Sequence, residues 1–394
     1  MKIFFRRIHL YLSLAAGLVI LTACLTGAIL VFEKELQMAF AKNRYYVEKA
    51  GEAKPVEQLV AAVKQAFPGS AITGVKLYDD ANRSAEIAIA APKKKEANLN
   101  GTRANASVAS QPARGRQPGF TIFVNPYTGA ILEKYSYRET GFYQVFALHR
   151  WLLGGQDSIG KYIVGISTLI FLFIILTGLV LWWPKTKRIL IKRLKIKSNA
   201  GWKRLNHDLH IVLGFYSSIF LFIFAFTGLS WSFEWFNEGI YAVTASPLKP
   251  PPPPNSNPVL DGKTISLDKA LATAKNKYDN ADFYSIALPK ENTEALTINV
   301  LPKNALHEAA THAVYIDQFS GAVLGTLPFG QRSLGARVRS TFKPVHTGSI
   351  WGLPSKIIAF VVCLFGVLFP ITGVIMWWNR TRKKKKAERA ISVV

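Results

Sequence analysis

Four uncharged apolar runs are the feature of this 394-residue sequence that most constrains its fold. Each run has 22 or 23 residues, and they cover Leu10–Phe32, Tyr162–Trp183, Ile211–Phe233 and Ile357–Trp378. A helix needs about 20 apolar residues to cross the roughly 30 Å hydrocarbon core of a bilayer. The sequence therefore predicts four transmembrane helices and excludes a soluble globular protein.

Basic residues lie beside the apolar runs at three places. The N-terminus, the segment 184–206 and the stretch after Trp378 together carry nineteen Lys and Arg and one acid. By the positive-inside rule these three segments are cytoplasmic, and segments 33–160 and 234–356 lie outside. The formal net charge of +25 thus reflects topology and contact with membrane lipid, and it does not indicate a nucleic-acid partner in a chain that is 49% hydrophobic.

The cysteine count limits the redox chemistry that the chain can hold. Cys24 and Cys363 are too few for a disulfide framework or a Cys-ligated iron–sulfur cluster, and no C-x-x-C-H sequence is present to attach c-type haem. The stretch Leu21–Cys24 has the form of a lipoprotein processing box, and cleavage there would remove the first span. Because the apolar run continues to Phe32, beyond the length of a signal core, we predict that the span is retained.

An internal repeat is visible in the spans. His9 precedes Gly27 by 18 residues, and His210 precedes Gly228 by the same 18. The second and fourth spans both end in Thr-Gly-x-x-x-Trp-Trp, and each follows a more distant histidine. Equivalent residues are separated by an even number of crossings, so the pattern predicts a pseudo-two-fold axis along the membrane normal.

The two outer segments repeat as well. Each contains an amphipathic helix followed by four strand-like stretches, and each carries one glycine hairpin, at 124–132 and 316–324. The predicted fold is a four-helix transmembrane bundle with internal two-fold duplication plus two outer α+β domains. Within the outer segments, 92–119 reads as a flexible insertion and Pro250–Pro254 as a polyproline spacer.

The repeat pattern gives the following order of segments along the chain. The segments are transmembrane helix 1 (1–36), outer domain 1 (37–145), interfacial segment and helix 2 (146–184), cytoplasmic loop (185–206), helix 3 (207–236), outer domain 2 (237–342), interfacial segment and helix 4 (343–379) and cytoplasmic tail (380–394).

Four histidines at the membrane boundaries are candidate ligands of haem iron. Repeat-equivalent residues lie on opposite sides of the axis, so we expect His9 to oppose His210 and His149 to oppose His346, as axial ligation of two haems requires. His207, three residues before His210, is an alternative ligand. An isolated boundary histidine can also simply anchor a helix at the headgroup level.

Glycines and arginines accompany the proposed ligands. Helix rise places Gly27 about 27 Å from His9, at the height of the second pair. By the same reasoning four glycines face the haems: Gly27, Gly178, Gly228 and Gly373. Close helix packing is the alternative reading of these Thr-Gly pairs. Arg6, Arg150 and Arg204 are expected at the propionates, although positive-inside anchoring also explains the cytoplasmic ones.

Histidine-led spans that end in Thr-Gly-x-x-x-Trp-Trp, alternating with outer domains that carry Asn/Asp-x-x-Ser/Thr-Gly hairpins, resemble the PepSY-associated transmembrane family. Within it the chain is most similar to di-haem ferric-siderophore reductases of FoxB type in the bacterial inner membrane. The resemblance implies an oxidoreductase of iron uptake with PepSY-like periplasmic domains and two haem b groups on His9, His149, His210 and His346. It leaves the electron donor open, as an unidentified cytoplasmic reductase or a quinol.

Two other functions share parts of this pattern. A haem-free membrane anchor or regulator would use the PepSY-like domains to bind envelope proteins. A haem b quinol or partner-linked oxidoreductase would keep the haems but use a different acceptor. We expect ferric siderophore, of hydroxamate type, as the substrate, and the sequence assigns no catalytic residue that touches it. No P-loop, dinucleotide fingerprint or zincin motif is present.

Overall fold

The computed structural model describes residues 1–90, 119–258 and 262–391. Apart from Gly119, the predicted insertion 92–119 lies outside the described residues. The chain divides into two compact units. The helical unit comprises residues 1–33, 141–240 and 341–394, and the sheet unit comprises residues 34–140 and 241–340.

The described helices and strands have the following bounds. The α-helices are α1 (Lys2–Val31), α2 (Glu33–Phe40), α3 (Lys42–Tyr45), α4 (Val56–Ala66), α5 (Gly141–Trp151), α6 (Ile159–Trp182), α7 (Lys187–Arg193), α8 (Trp202–Asp208), α9 (Gly214–Ser232), α10 (Glu234–Val243), α11 (Leu267–Lys277), α12 (Leu334–His346) and α13 (Leu353–Ile391). The strands are β1 (Ile72–Tyr78), β2 (Ala85–Ile89), β3 (Phe120–Val124), β4 (Ile131–Tyr135), β5 (Ala281–Ala287), β6 (Leu296–Pro302), β7 (His312–Ile316) and β8 (Val323–Leu327).

Four helices of the helical unit are long and apolar enough to cross a membrane. They are Lys2–Val31, Ile159–Trp182, Trp202–Ser232 and Leu353–Arg382. Each contains nearly all of one predicted apolar run. All four begin before their run, because helix formation continues into polar residues that the hydropathy pattern does not count. The first span therefore includes His9 as an integral residue of α1.

Small side chains let the long helices pack closely. α1 packs against α6 and α13, and α9 packs against α6 and α13. A Cβ atom added at Gly366 would lie 2.5 Å from Sγ of Cys24, so only glycine permits the observed contact between α13 and α1. Without a hydrophobic driving force inside lipid, such close approach is how membrane helices gain packing energy.

A π-helical turn interrupts the third span. It covers Leu209–Leu213 and joins α8 to α9. A π turn adds one residue to the helical repeat and so rotates the residues before it relative to those after it. His210 lies in this turn, whereas its repeat equivalent His9 lies in regular α-helix.

The sheet unit is built around one antiparallel sheet of eight strands. Their order is β4-β3-β2-β1-β5-β6-β7-β8. The alternating apolar side chains of the strands point to one face, where α4 and α11 cover them to form a single core that includes Leu59, Ile87 and Ile298. Each half of the sheet has the same order of elements, one helix followed by four strands.

The two halves meet at strands β1 and β5. These strands pair antiparallel, with Val75 opposite Ile286. The sequence pattern predicted two small α+β domains, each with one helix followed by four strands, and each half of the sheet unit has these elements. In the structure the two sets share one sheet and one core, because the edge strand of each half satisfies its backbone hydrogen bonds on the other.

Candidate functional site

The helical unit contains two pairs of histidines, and within each pair the two imidazole rings face each other. In the first pair, the rings of His9 on α1 and His210 in the π-helical turn have centroids 6.4 Å apart and planes at 81°. In the second pair, His149 near the end of α5 and His346 at the end of α12 have ring centroids 6.1 Å apart and planes at 65°. The four predicted ligands are thus brought together in the two predicted pairs.

Backbone carbonyls accept hydrogen bonds from Nδ1 of the histidines. The distances are 3.1 Å from His9 to Ile174 O, 3.0 Å from His149 to Ala23 O and 2.9 Å from His346 to Phe224 O. A carbonyl oxygen can only accept, so Nδ1 carries the ring hydrogen in each case. Nε2 then keeps its lone pair, which is the form of imidazole that binds a metal ion.

A threonine hydroxyl also contacts Nδ1 of every histidine in the two pairs. The distances from threonine Oγ1 to histidine Nδ1 are 3.0 Å for Thr177 and His9, 2.8 Å for Thr372 and His210, 3.0 Å for Thr26 and His149 and 3.1 Å for Thr227 and His346. We did not predict this role, although the signal was present, because a threonine stands directly before each of the four glycines. The Thr-Gly motif is therefore part of the site as well as of helix packing.

The four glycines lie against the imidazole rings. A Cβ atom added to a glycine would meet Cε1 of one histidine, at 3.5 Å for Gly27 and His149, 3.3 Å for Gly178 and His9, 3.2 Å for Gly228 and His346 and 3.5 Å for Gly373 and His210. The sequence interpretation had these glycines make room for a macrocycle. In the structure the side chain that they make room for is the ring of the histidine itself.

A cavity of about 530 Å³ opens beside the first histidine pair. His9, His210 and His207 line it together with three arginines, Arg6, Arg193 and Arg380. Most of the remaining lining is apolar. A mostly apolar cavity with basic groups among its walls suits a flat apolar ligand that carries carboxylates.

The paired tryptophans at the end of α6 divide between two environments. Trp182 lines the cavity with a side chain that is almost fully buried and stacks on Phe215 at a centroid distance of 3.7 Å. Its Nε1 has no hydrogen-bond partner among the described residues. Trp183 is exposed, as an aromatic belt residue would be. Only the second tryptophan of this pair therefore has the exposure expected of a residue in an aromatic belt.

Two further predicted residues lie near the first pair. Arg204 donates to the buried carboxylate of Asp208 at 2.9 Å from Nε, and it is not among the residues that line the cavity. His207 lines the cavity, and its Nδ1 lies 3.3 Å from Oδ1 of Asp208. The ring that opposes His9 is that of His210, so the geometry favours His210 over His207 as its partner.

Arg150 lies close to the second pair. It donates from Nη2 to the carbonyl of Trp231 at 3.2 Å, and the Trp231 ring lies 5.3 Å from the ring of His346. Burial lowers the pKa of both His149 and His346 to about 4. Both imidazoles are therefore neutral at pH 7, which keeps their Nε2 lone pairs available.

The spacing of the rings in the two histidine pairs agrees with binding of haem iron. An iron bound to two imidazole nitrogens at about 2 Å each puts the ring centroids about 6 Å apart, as both pairs are. Among the described residues no group of three or more His, Cys, Asp or Glu could hold a metal ion. Two opposed imidazole rings suit an iron whose other positions a macrocycle would fill, so the residues fit haem better than a bare ion.

Comparisons with known proteins bear on the family. No curated protein matches this chain. A predicted lipoprotein of Clostridium difficile 630 is similar to this chain at 8% identity, covering 72% of this chain and 97% of that one, with a TM-score of 0.26 that supports no further argument. The family described as "PepSY-associated TM region" matches residues 6–380. The chain therefore belongs to this family and is a membrane protein.

Proposed function

We propose that this protein carries electrons across a bacterial inner membrane and reduces a ferric siderophore in the periplasm, which releases iron as Fe(II). The observation that carries the proposal is the pair of opposed histidine sites, with centroid distances of 6.4 and 6.1 Å. Nδ1 contacts with carbonyl and hydroxyl groups leave every Nε2 free to bind iron.

Two haem b groups are the proposed cofactors. His9 and His210 would hold one, and His149 and His346 the other. Haem iron supplies one-electron chemistry when it is bound in this way. The chain itself fixes the tautomer and direction of each imidazole through the contacts of Nδ1.

Basic residues support binding of the haem carboxylates. Arg6, Arg193 and Arg380 line the cavity at the first pair, and Arg150 lies beside the second. An arginine can hold a carboxylate through two parallel hydrogen bonds. Nε1 of Trp182, buried and without a partner among the described residues, is a further donor in the cavity wall.

Charge and repeat order support a membrane orientation. We assign both termini and the loop 185–206 to the cytoplasm, because nearly all of their charged residues are basic. The sheet unit then lies in the periplasm, since both of its chain segments follow an odd number of spans. The shared order of elements in its two halves supports an internal duplication.

The proposed substrate is a ferric siderophore, with a hydroxamate chelate as the probe. Hydroxamates present hard oxygen ligands, which bind Fe(III) much more strongly than Fe(II). Addition of one electron to the chelated iron therefore weakens all of its bonds to the chelator at once. The donor on the other side is a cytoplasmic reductase or a quinol.

Absorbance spectra of the purified full-length protein test the cofactor. We expect reduced b-type haem bands after dithionite and two haems per chain by the pyridine haemochrome assay. The double variant His9→Ala/His149→Ala should lose both haems, whereas the matched control His207→Ala should keep both. A wild-type protein without a Soret band would favour the haem-free anchor and reject the proposal.

Stopped-flow mixing tests the acceptor. Reduced protein mixed with a ferric hydroxamate should reoxidise as the Fe(II) appears, measured with a ferrous chelator. Gallium hydroxamate, which has the same shape and cannot be reduced at these potentials, is the control. Haem-loaded protein that reacts equally slowly with both chelates would reject the ferric-siderophore function while leaving the haems in place.

A further inference from the structure

The imidazole planes of both histidine pairs cross at large angles. They make 81° in the first pair and 65° in the second. The two rings of each pair are oriented by different helices. His9 on α1 turns its Nδ1 toward α6, and His210 turns its Nδ1 toward α13.

Each threonine has only one way to satisfy its contacts. Its hydroxyl hydrogen is donated along its own helix, as from Thr177 to Ile174 O at 2.9 Å and from Thr26 to Thr22 O at 2.6 Å. The oxygen is left as an acceptor, and Nδ1–H of the histidine points at it. The N–H group thus lies between two acceptors, a hydroxyl and a carbonyl, and the ring cannot rotate about its Cβ–Cγ bond without losing one of them.

We propose that Thr26, Thr177, Thr227 and Thr372 are positioning residues that lock each histidine pair in a crossed orientation and thereby set the ligand field and reduction potential of the iron between them. This inference rests on the proposed binding of two haems. It goes further because it predicts the electronic character of the two sites from the hydroxyl contacts.

Two physical effects link the threonines to the iron. Crossed imidazoles donate π-electron density into different iron d orbitals, so these orbitals stay close in energy, whereas parallel rings separate them. Near-equal orbitals give a highly anisotropic low-spin EPR signal. In addition, acceptors on Nδ1–H make Nε2 more basic, which favours the oxidised iron and lowers its potential.

Threonine-to-valine variants test the role, because valine keeps the shape and removes the hydroxyl. Thr177→Val acts on the first pair and Thr26→Val on the second. Two threonines on the same helices serve as matched controls. Thr168 donates to the carbonyl of Val164 and Thr22 donates to that of Leu18, each within its own helix. EPR spectra of the oxidised protein and a spectroscopic redox titration are the measurements.

We expect the oxidised wild type to show highly anisotropic low-spin signals. Thr177→Val should change one of the two signals, raise one potential and weaken that haem's affinity by about 10-fold. Thr26→Val should do the same to the other haem, and Thr168→Val and Thr22→Val should change neither. Thr177→Ser, which keeps the hydroxyl, should restore the wild-type signal.

Several results would overturn the inference. Haem-loaded wild type with the EPR signal of parallel rings would refute the crossed geometry. Valine variants with unchanged signals and potentials would refute the role of the hydroxyl groups, as would a Thr177→Ser protein that keeps haem with a shifted signal. A wild type without haem would instead reject the proposed function, so the two failures are distinguishable.

Discussion

At the residue scale, a single carboxylate holds the last hairpin of the sheet unit. Oδ1 of Asp317 accepts hydrogen bonds from the backbone N–H groups of Phe319 and Ser320, and Oδ2 accepts from the N–H of Asn257 at 2.8 Å. In the equivalent hairpin Asn125 accepts two such bonds through one oxygen. These bonds, chiefly that from Ser320, lower the pKa of Asp317 to about 2.

Replacement of Asp317 should destabilise the sheet unit. Asp317→Ala leaves three N–H groups without their acceptor, at a cost of about 1–3 kcal/mol. Asp317→Asn should cost less, because its single oxygen can repeat the contacts of Asn125. Since the folded pKa lies below the unfolded one, the wild-type contribution is complete above about pH 4 and is lost as the pH falls toward 2. Thermal unfolding followed by circular dichroism checks the order, and an Asn variant less stable than the Ala variant would contradict it.

Gly228 offers a test of how tightly a histidine is held. A methyl group there would lie 3.2 Å from Cε1 of His346, whose ring the Phe224 carbonyl and Thr227 hydroxyl already fix. Gly228→Ala should therefore displace the ring and lose about half of the bound haem, measured by pyridine haemochrome. Gly239→Ala in α10 is the control, because among the described residues no atom would lie within 4 Å of its methyl group. Equal haem content in both variants would show that the ring can yield.

The sequence predicted which histidines oppose each other, but not which other side chains contact them. Repeat symmetry predicted that His9 opposes His210, because symmetry alone fixes which residues face each other. It could not predict that Thr177 bonds His9, since that contact joins two helices through the rotation of α6 about its axis. Nor did it separate Trp182 from Trp183, which are neighbours in the chain but lie on different faces of the helix.

At the element scale, helices α4 and α11 cap each other across the two halves of the sheet unit. The N–H of Val56 donates to Oδ1 of Asp268 at 2.8 Å, and the N–H of Leu267 donates to Oε1 of Glu57. The two carboxyl groups lie close enough that each shifts the pKa of the other. Burial and the neighbouring Asp268 raise the pKa of Glu57, because both disfavour its charged form.

Glu57→Gln should stabilise the sheet unit at neutral pH. A Gln side chain can accept from Leu267 and donate to Asp268 at every pH. The wild-type contribution is present below the unfolded pKa of Glu57 and is lost as the pH rises through the raised folded value. We therefore expect a melting temperature about 2–4 °C higher for the variant at pH 8, with the difference narrowing as the pH falls.

The exposed Glu52 provides a control for this change. Glu52→Gln removes the same charge from the segment that leads into α4, so it should leave the melting temperature nearly unchanged. A Glu57→Gln protein that melts below the wild type at pH 8 would mean that two charged carboxylates are tolerated there, and would refute the raised pKa of Glu57.

Strands were easier to predict than their partners. Alternation of apolar side chains located β1 and β5, because a strand covered on one face repeats every two residues. Their pairing was not predictable in this way. It joins Val75 to Ile286, which are more than 200 residues apart, and it requires Gly74, where a Cβ atom would lie 2.9 Å from the carbonyl oxygen of Ile286.

At the scale of the whole molecule, charge and hydropathy act together. The apolar helices can span the membrane, and the positive-inside rule relates the orientation of the chain to the basic segments beside them. Lipid also explains why the long helices expose large apolar side chains such as Leu18, Phe173 and Ile219, which would be a liability in water. The orientation is therefore a property of the complete chain and can be tested on it.

Cysteine labelling in spheroplasts tests this orientation. Asn199 and Asn304 are both exposed, the first in the basic loop and the second in the sheet unit. Asn304→Cys should react with a membrane-impermeant maleimide added to intact spheroplasts. Asn199→Cys should react only after permeabilisation, because the positive-inside rule predicts a cytoplasmic side for a loop with nine Lys and Arg.

The wild type measures the background of this labelling, since Cys24 is buried and Cys363 lies half-buried in the bundle. Labelling of Asn199→Cys in intact spheroplasts would invert the proposed topology. The first histidine pair, which shares its end of the bundle with that loop through Arg193 in the cavity wall, would then lie on the periplasmic side. Reduction of a periplasmic chelate would have to occur at His9 and His210, so the labelling result also decides which pair faces the substrate.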